Sequence, residues 1–173
     1  IKPDNLAVKP NTGIASLIDV GFLTSAKTFD VVKGSKQYMA PEKRSAGEAA
    51  KRGKYRRPFS GEEQKKQDIY SLGISIIEML PTLPHSFLVD ISRSKPVDHN
   101  NKIRQMLENN EANKDRQADV TWGTGPLLLR MINKNPDLRP TAKEVADFFG
   151  GFCEQIKDHR ENIRQEAKRK DNP

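Results

Sequence analysis

Three side chains near the start of the chain carry the groups that phosphoryl transfer needs: an ammonium at Lys2, an amide at Asn5 and a carboxylate at Asp19. Amide and carboxylate oxygens are hard ligands of the kind that Mg²⁺ selects, and an ammonium neutralises charge on a transferring phosphoryl group. Taken alone, Ile1-Lys2-Pro3-Asp4-Asn5 reads as a turn and Asp19-Val20-Gly21 as a hairpin loop. Chemistry requires the chain between them to fold back and gather the three groups around one turn.

That chain is suited to do so. Leu6-Ala7-Val8 and Ile14-Ala15-Ser16-Leu17-Ile18 are short β-prone runs, and Pro10, Asn11 and Gly13 between them favour a turn, so a β-hairpin is predicted. From Asp19 to Tyr38 the pattern has no period and reads as an ordered or switchable loop; residues 43–67 read as a polar, flexible surface stretch. Asp68 is placed as the cap of a helix running from Ile69 to Leu80, apolar on nearly every face and stopped by Pro81, as befits the middle of a domain. Lys102–Asn109 is a weaker helix pattern and Pro126–Asn133 a stronger one. Thr141-Ala142-Lys143-Glu144 is a capping box that opens a last helix with Val145, Phe148, Phe149 and Phe152 on its apolar face. Beyond Ile156 the charge density predicts a solvated helical extension or a frayed tail.

Composition bounds the alternatives. The 173 residues, 35% hydrophobic and 31% charged, are enough for a single domain with one core. One cysteine, Cys153, excludes an internal disulfide framework, and His85, His99 and His159 lack metal-ligand spacing. No apolar run approaches the roughly 20 residues of a membrane-spanning helix, and nothing near Ile1 resembles a charged region followed by an apolar one; the expectation is an intracellular, cytoplasmic protein without membrane contact. The chain opens on Ile1 rather than methionine and reads as a truncation. Of the net charge of +7, an excess of six lies between Lys43 and Arg57, where seven basic residues face the single acid Glu48. Nucleic acid is disfavoured as a partner, because only Tyr55 and Phe59 offer stacking surfaces there. An acidic or phosphorylated docking partner at residues 43–57 fits the charge better.

The order of the motifs resembles the protein-kinase signature set along essentially the whole chain. Ile1-Lys2-Pro3-Asp4-Asn5 resembles the end of the catalytic loop, Asp19-Val20-Gly21 the metal-binding triplet and Gly34-Ser35-Lys36-Gln37-Tyr38-Met39-Ala40-Pro41-Glu42 the end of the activation segment. Asp68-Ile69-Tyr70-Ser71-Leu72-Gly73 resembles the start of the central helix, and Asn135-Pro136-Asp137-Leu138-Arg139-Pro140 the loop before the last helix. The resemblance implies a mainly α fold: a protein-kinase-like C-terminal lobe with a short β-hairpin near its N-terminus and no N-terminal lobe. Residues 1–152 are then the lobe and 153–173 a charged extension.

It further implies ATP and Mg²⁺ as cofactors, with Asn5 and Asp19 as metal ligands and Lys2, Asn5 and Asp19 holding the nucleotide. Lys2 and Ser35 become the candidate catalytic residues, and their pattern implies a protein acceptor bearing Ser or Thr, hence a serine/threonine kinase in signalling. Glu42 and Arg139 are implied to form a buried ion pair that ties the activation segment to the helical core. Two departures stand out. Val20 replaces the family's usual phenylalanine, and the chain from Glu42 to Asp68 is longer than the family's spacing. The base-forming aspartate, the glycine-rich loop and their neighbours would all precede Ile1, so this partial catalytic domain is expected to be inactive alone. The alternative reading is a non-catalytic pseudokinase or scaffold that binds partners.

Overall fold

The computed structural model describes residues 1–9, 15–19, 34–54, 57–79, 105 and 124–171. A 3₁₀ turn (Pro3–Asn5) leads into strand β1 (Leu6–Val8), which pairs antiparallel with β2 (Ala15–Leu17). The predicted hairpin is there, in the register Leu6 to Leu17, Ala7 to Ser16 and Val8 to Ala15. Its turn residues 10–14, most of the loop expected after Asp19, and the weak helix pattern at 102–109 apart from position 105 lie outside the described residues.

The stretch 43–67, read from sequence as a polar, flexible surface stretch, is largely helical among its described residues. Helix α1 spans Pro41–Lys51 and α2 spans Gly61–Met79, so α2 begins about two turns before Asp68, which lies inside the helix rather than at its start. Local chemistry explains both. Proline at the first position and Glu42 in the first turn suit a helix N-terminus, and Ala46, Ala49 and Ala50 carry α1 forward. Gly53, at φ 69°, ends it: the Gly53 N–H bonds to the Ala50 carbonyl and the Lys54 N–H to the Ala49 carbonyl, each at 3.0 Å, a Schellman cap. At α2, the Ser60 N–H donates to Glu63 Oε2 (2.7 Å) and the Glu63 N–H to Ser60 Oγ (3.3 Å). Ser60-Gly61-Glu62-Glu63 thus repeats the capping box that opens the last helix, where the Thr141 N–H meets Glu144 Oε2 at 2.7 Å and the Glu144 N–H meets Thr141 Oγ1 at 3.1 Å.

Helix α2 is the axis of the core. Ile69, Tyr70, Ile74 and Ile77 are buried against Leu127, Leu128 and Met131 of α3 (Gly125–Met131), with Ile132 beyond it and Val145 of α4 (Ala142–Asp171). Two helices approach closely at Gly73, where a Cβ would lie 2.9 Å from Met131 Cβ and 3.0 Å from Ile132 Cγ2. Phe148 and Phe149 pack edge to face at the border of this core, and α4 then continues through the charged segment to Asp171 as one helix. No helix of the described residues is long and apolar enough to cross a membrane.

Two glycine substitutions should act in opposite directions although neither added Cβ meets an atom within 4 Å. Gly53→Ala forces a side chain into the left-handed region and should lower stability by about 1 kcal/mol, whereas Gly150→Ala inside α4 should raise it by up to about 1 kcal/mol; urea midpoints of the two variants check the signs.

The carboxylates of the two capping boxes add a small acid-sensitive part to the stability. Arg57 foremost holds the Glu63 carboxyl down to about 2, and the Thr141 backbone amide foremost holds Glu144 down to about 2, against an ordinary 4.5. A folded pKa below the unfolded one contributes stability above the ordinary carboxylate range that is lost as pH falls. Unfolding followed by circular dichroism should therefore show stability declining between about pH 4.5 and 2, and Glu144→Gln should make that decline shallower.

Candidate functional site

The hairpin register gathers the candidate site residues. The Ile18 N–H donates to the Asn5 carbonyl at 2.9 Å, extending the ladder one residue past the Leu6 to Leu17 pair. Asp19 therefore follows directly on the partner of Asn5. Asn5 closes the 3₁₀ turn through its N–H to the Lys2 carbonyl (3.0 Å), which holds Lys2 one turn away. The Lys2 ammonium lies 3.2 Å from Asp4 Oδ2. Lys2 and Asn5 are half-buried and Asp19 is exposed, so the three groups share one accessible end of the hairpin. That end sits on α2, where Ser75 Oγ reaches the Ile1 carbonyl (3.5 Å) and the Ser71 carbonyl (2.8 Å).

The donor set bears on the metal. Among the described residues no group of three or more His, Cys, Asp or Glu side chains could hold a metal ion by itself. One carboxylate and one amide instead fit Mg²⁺, which keeps several waters and takes its remaining ligands from substrate phosphates. Val20 and Gly21 of the triplet lie outside the described residues. Ser35 stands on a different element, exposed in the turn before α1, where its carbonyl accepts the Tyr38 N–H at 3.1 Å.

After that turn the chain goes under. Tyr38, Met39 and Ala40 are buried, and Ser71 Oγ on α2 donates to the Tyr38 carbonyl at 2.8 Å. The Tyr38 hydroxyl donates to the Glu78 carboxylate; burial first, then this bond, pushes the phenol up to about 12. One residue past Pro41, Glu42 meets Arg139 in a two-pronged ion pair at 2.7 and 2.8 Å. The Arg139 side chain is wholly buried, and its remaining donors reach the carbonyls of Asn133 (2.7 Å) and Lys66 (3.1 Å). The implied ion pair is thus present, and it is bonded on every side.

The protein kinase domain family matches residues 1–148, and the chain belongs to that family. Similar proteins include the LRR receptor-like serine/threonine-protein kinases RGI2 and RGI1 of Arabidopsis thaliana. RGI2 is 27% identical over 90% of this chain and 13% of its own length, RGI1 30% identical over 86% and 12%. The membrane-associated tyrosine- and threonine-specific cdc2-inhibitory kinase wee-1.3 of Caenorhabditis elegans is 24% identical over 85% of the chain and 18% of its own length. The chain therefore spans less than a fifth of each of these curated relatives. No solved structure matches it significantly.

Two features escaped sequence reasoning. The Tyr38 to Glu78 bond joins residues 40 positions apart, and no local pattern announces it. The true start of α2 did have a signal, the Ser60 to Glu63 spacing, hidden among charges that lack an apolar period.

Glu42→Ala should cost about 3–5 kcal/mol, because it leaves the wholly buried Arg139 charge without its carboxylate, and Arg139→Ala should also destabilise, because it leaves the partly buried Glu42 unpaired. The double variant should cost clearly less than the sum, a coupling that guanidinium denaturation of the four proteins measures; strict additivity would refute the latch.

Proposed function

We propose that this chain is part of a protein serine/threonine kinase that transfers the γ-phosphate of ATP to Ser or Thr hydroxyls of a protein acceptor. The observation that carries this reading is the Ile18 to Asn5 hydrogen bond, which brings a carboxylate and an amide to one end of the hairpin with an ammonium one turn away. In this reading Asp19 and Asn5 would hold Mg²⁺, which when bound would neutralise charge on the phosphates. Lys2 places its ammonium against the transferring group; Asp4 at 3.2 Å restrains it until a phosphate competes. Ser35, exposed ahead of the buried Tyr38 to Ala40 anchor, faces the acceptor side of the activation segment.

Residues 1–152 act as the lobe and 153–173 as a charged extension. Residues 43–57, which include exposed Lys51, Arg52 and Lys54, dock an acidic or phosphorylated protein partner. One observation favours a second reading, a pseudokinase or scaffold: Val20 stands where the family's triplet has an aromatic contact, so the metal-binding residues are less firmly seated.

Incorporation of radiolabelled phosphate into a protein acceptor bearing Ser and Thr separates the two. Residues 1–173 alone should transfer none, since phosphoryl transfer is almost wholly positioning and electrostatics and the groups that orient the acceptor hydroxyl are not in this sequence. The same chain joined to its upstream coding sequence should be active, and Asp19→Asn in it should lower the rate by about 10²-fold or more. Activity of the chain alone would overturn the inactive-fragment reading, and a silent longer chain would favour the scaffold.

A further inference from the structure

The chain between α1 and α2 leaves a cavity of about 300 Å³ lined by Glu42, Arg57, Phe59, Glu63 and Pro136. Its charge is unlike that of the segment around it. Two carboxylates and one guanidinium face the space, while Arg139, which neutralises Glu42, is wholly buried behind it and lines no part of the cavity. Glu42 spends one lone pair of each oxygen on Arg139, and about a quarter of its side chain is still exposed. A carboxylate has about four acceptor positions, so two remain. The opposite wall is the Phe59 ring and Pro136. A long side chain with an apolar stem and a cationic head matches such a cavity: the stem on the ring and the proline, the head between two carboxylates.

Arg57 already shows this chemistry from the rim. Its guanidinium holds both Glu63 oxygens, at 2.6 and 2.8 Å, and the Pro58 carbonyl at 3.1 Å, with 70% of the side chain exposed. An exposed pair of this kind contributes little to stability and exchanges readily. The cavity is of single-side-chain size, at the lower bound of small-molecule sites. The approach to it is basic: the chain that arrives at Arg57 carries exposed Lys51, Arg52 and Lys54. A uniformly basic segment is repelled there.

We infer that this cavity is a docking pocket for one arginine or lysine side chain presented within an otherwise acidic segment of a partner protein, with Arg57 as the resident side chain it displaces from Glu63. The acidic flanks rest on the docking reading of residues 43–57; the inserted cation does not rest on catalysis. Because Glu42 is both a wall of the pocket and the partner of Arg139, an occupant bears directly on the latch that ends the activation segment.

Dye-labelled Glu-Asp-Glu-Arg-Glu-Asp-Glu, and the same peptide with citrulline for arginine, test this by fluorescence anisotropy against the full 173-residue chain without ATP. Citrulline keeps the shape and removes the charge. The arginine peptide should bind about tenfold tighter, and Arg57→Ala should tighten it several-fold further, a gain that misfolding cannot produce. Phe59→Ala should weaken both peptides, and Glu63→Gln should shrink the difference between them. Equal binding of both peptides together with weakening by Arg57→Ala would overturn the pocket and leave the docking reading standing. Absence of binding by either peptide would overturn both.

Discussion

The buried guanidinium of Arg139 is the constraint on which the rest of the lobe depends. A charge taken fully out of water is tolerated only when its donors are satisfied, and here they reach the Glu42 carboxylate and the carbonyls of Asn133 and Lys66, with Tyr70 stacked 5.0 Å beneath. The Lys66 ammonium returns a bond to the carbonyl of Arg139 itself. Those partners belong to α1, α2 and the turn before α4. Three elements far apart in sequence are thereby held to one geometry, and a shift of any one strands a donor.

What Arg139 does for charge, α2 does for apolar surface and for the polar groups that cross it. Its buried serines do not float free: Ser71 bonds the Tyr38 carbonyl, and Ser75 bonds the Ser71 carbonyl and reaches Ile1. The same helix therefore seats the hairpin end that carries Lys2 and Asn5 and the buried stretch that follows Ser35. Lys2 and Asn5 lie in one turn of chain, and their distance from Ser35 is set by a helix to which both segments are bonded. Bonds to a rigid, buried element are what convert two loose polar segments into a fixed pair of surfaces.

Some of this was legible beforehand. The hairpin showed in two β-prone runs and their turn residues, the last helix in its capping box, the central helix in an apolar run with no polar face. The Glu42 to Arg139 pair was reachable only through resemblance, since nothing local links residues 97 apart. The stretch 43–67 was misread because the apolar period that identifies a surface helix is missing where charges crowd. Proline, three alanines and a Gly53 cap were enough to make a helix once Glu42 was anchored.

The amino-acid sequence by itself determined the chemistry on offer and the local elements, because side-chain identity, turn residues and capping spacings act over a few residues. It determined that a hairpin joins Lys2 and Asn5 to Asp19, while the register that pairs Asn5 with Ile18 came with the structure. Only the tertiary structure decided what lies across space: that the Tyr38 hydroxyl meets Glu78, that Arg139 reaches both Glu42 and Lys66, and that Glu42 and Glu63 face one cavity. Such contacts depend on the packing of whole helices, where burial makes each polar partner obligatory, and no short window of sequence contains both ends of the bond.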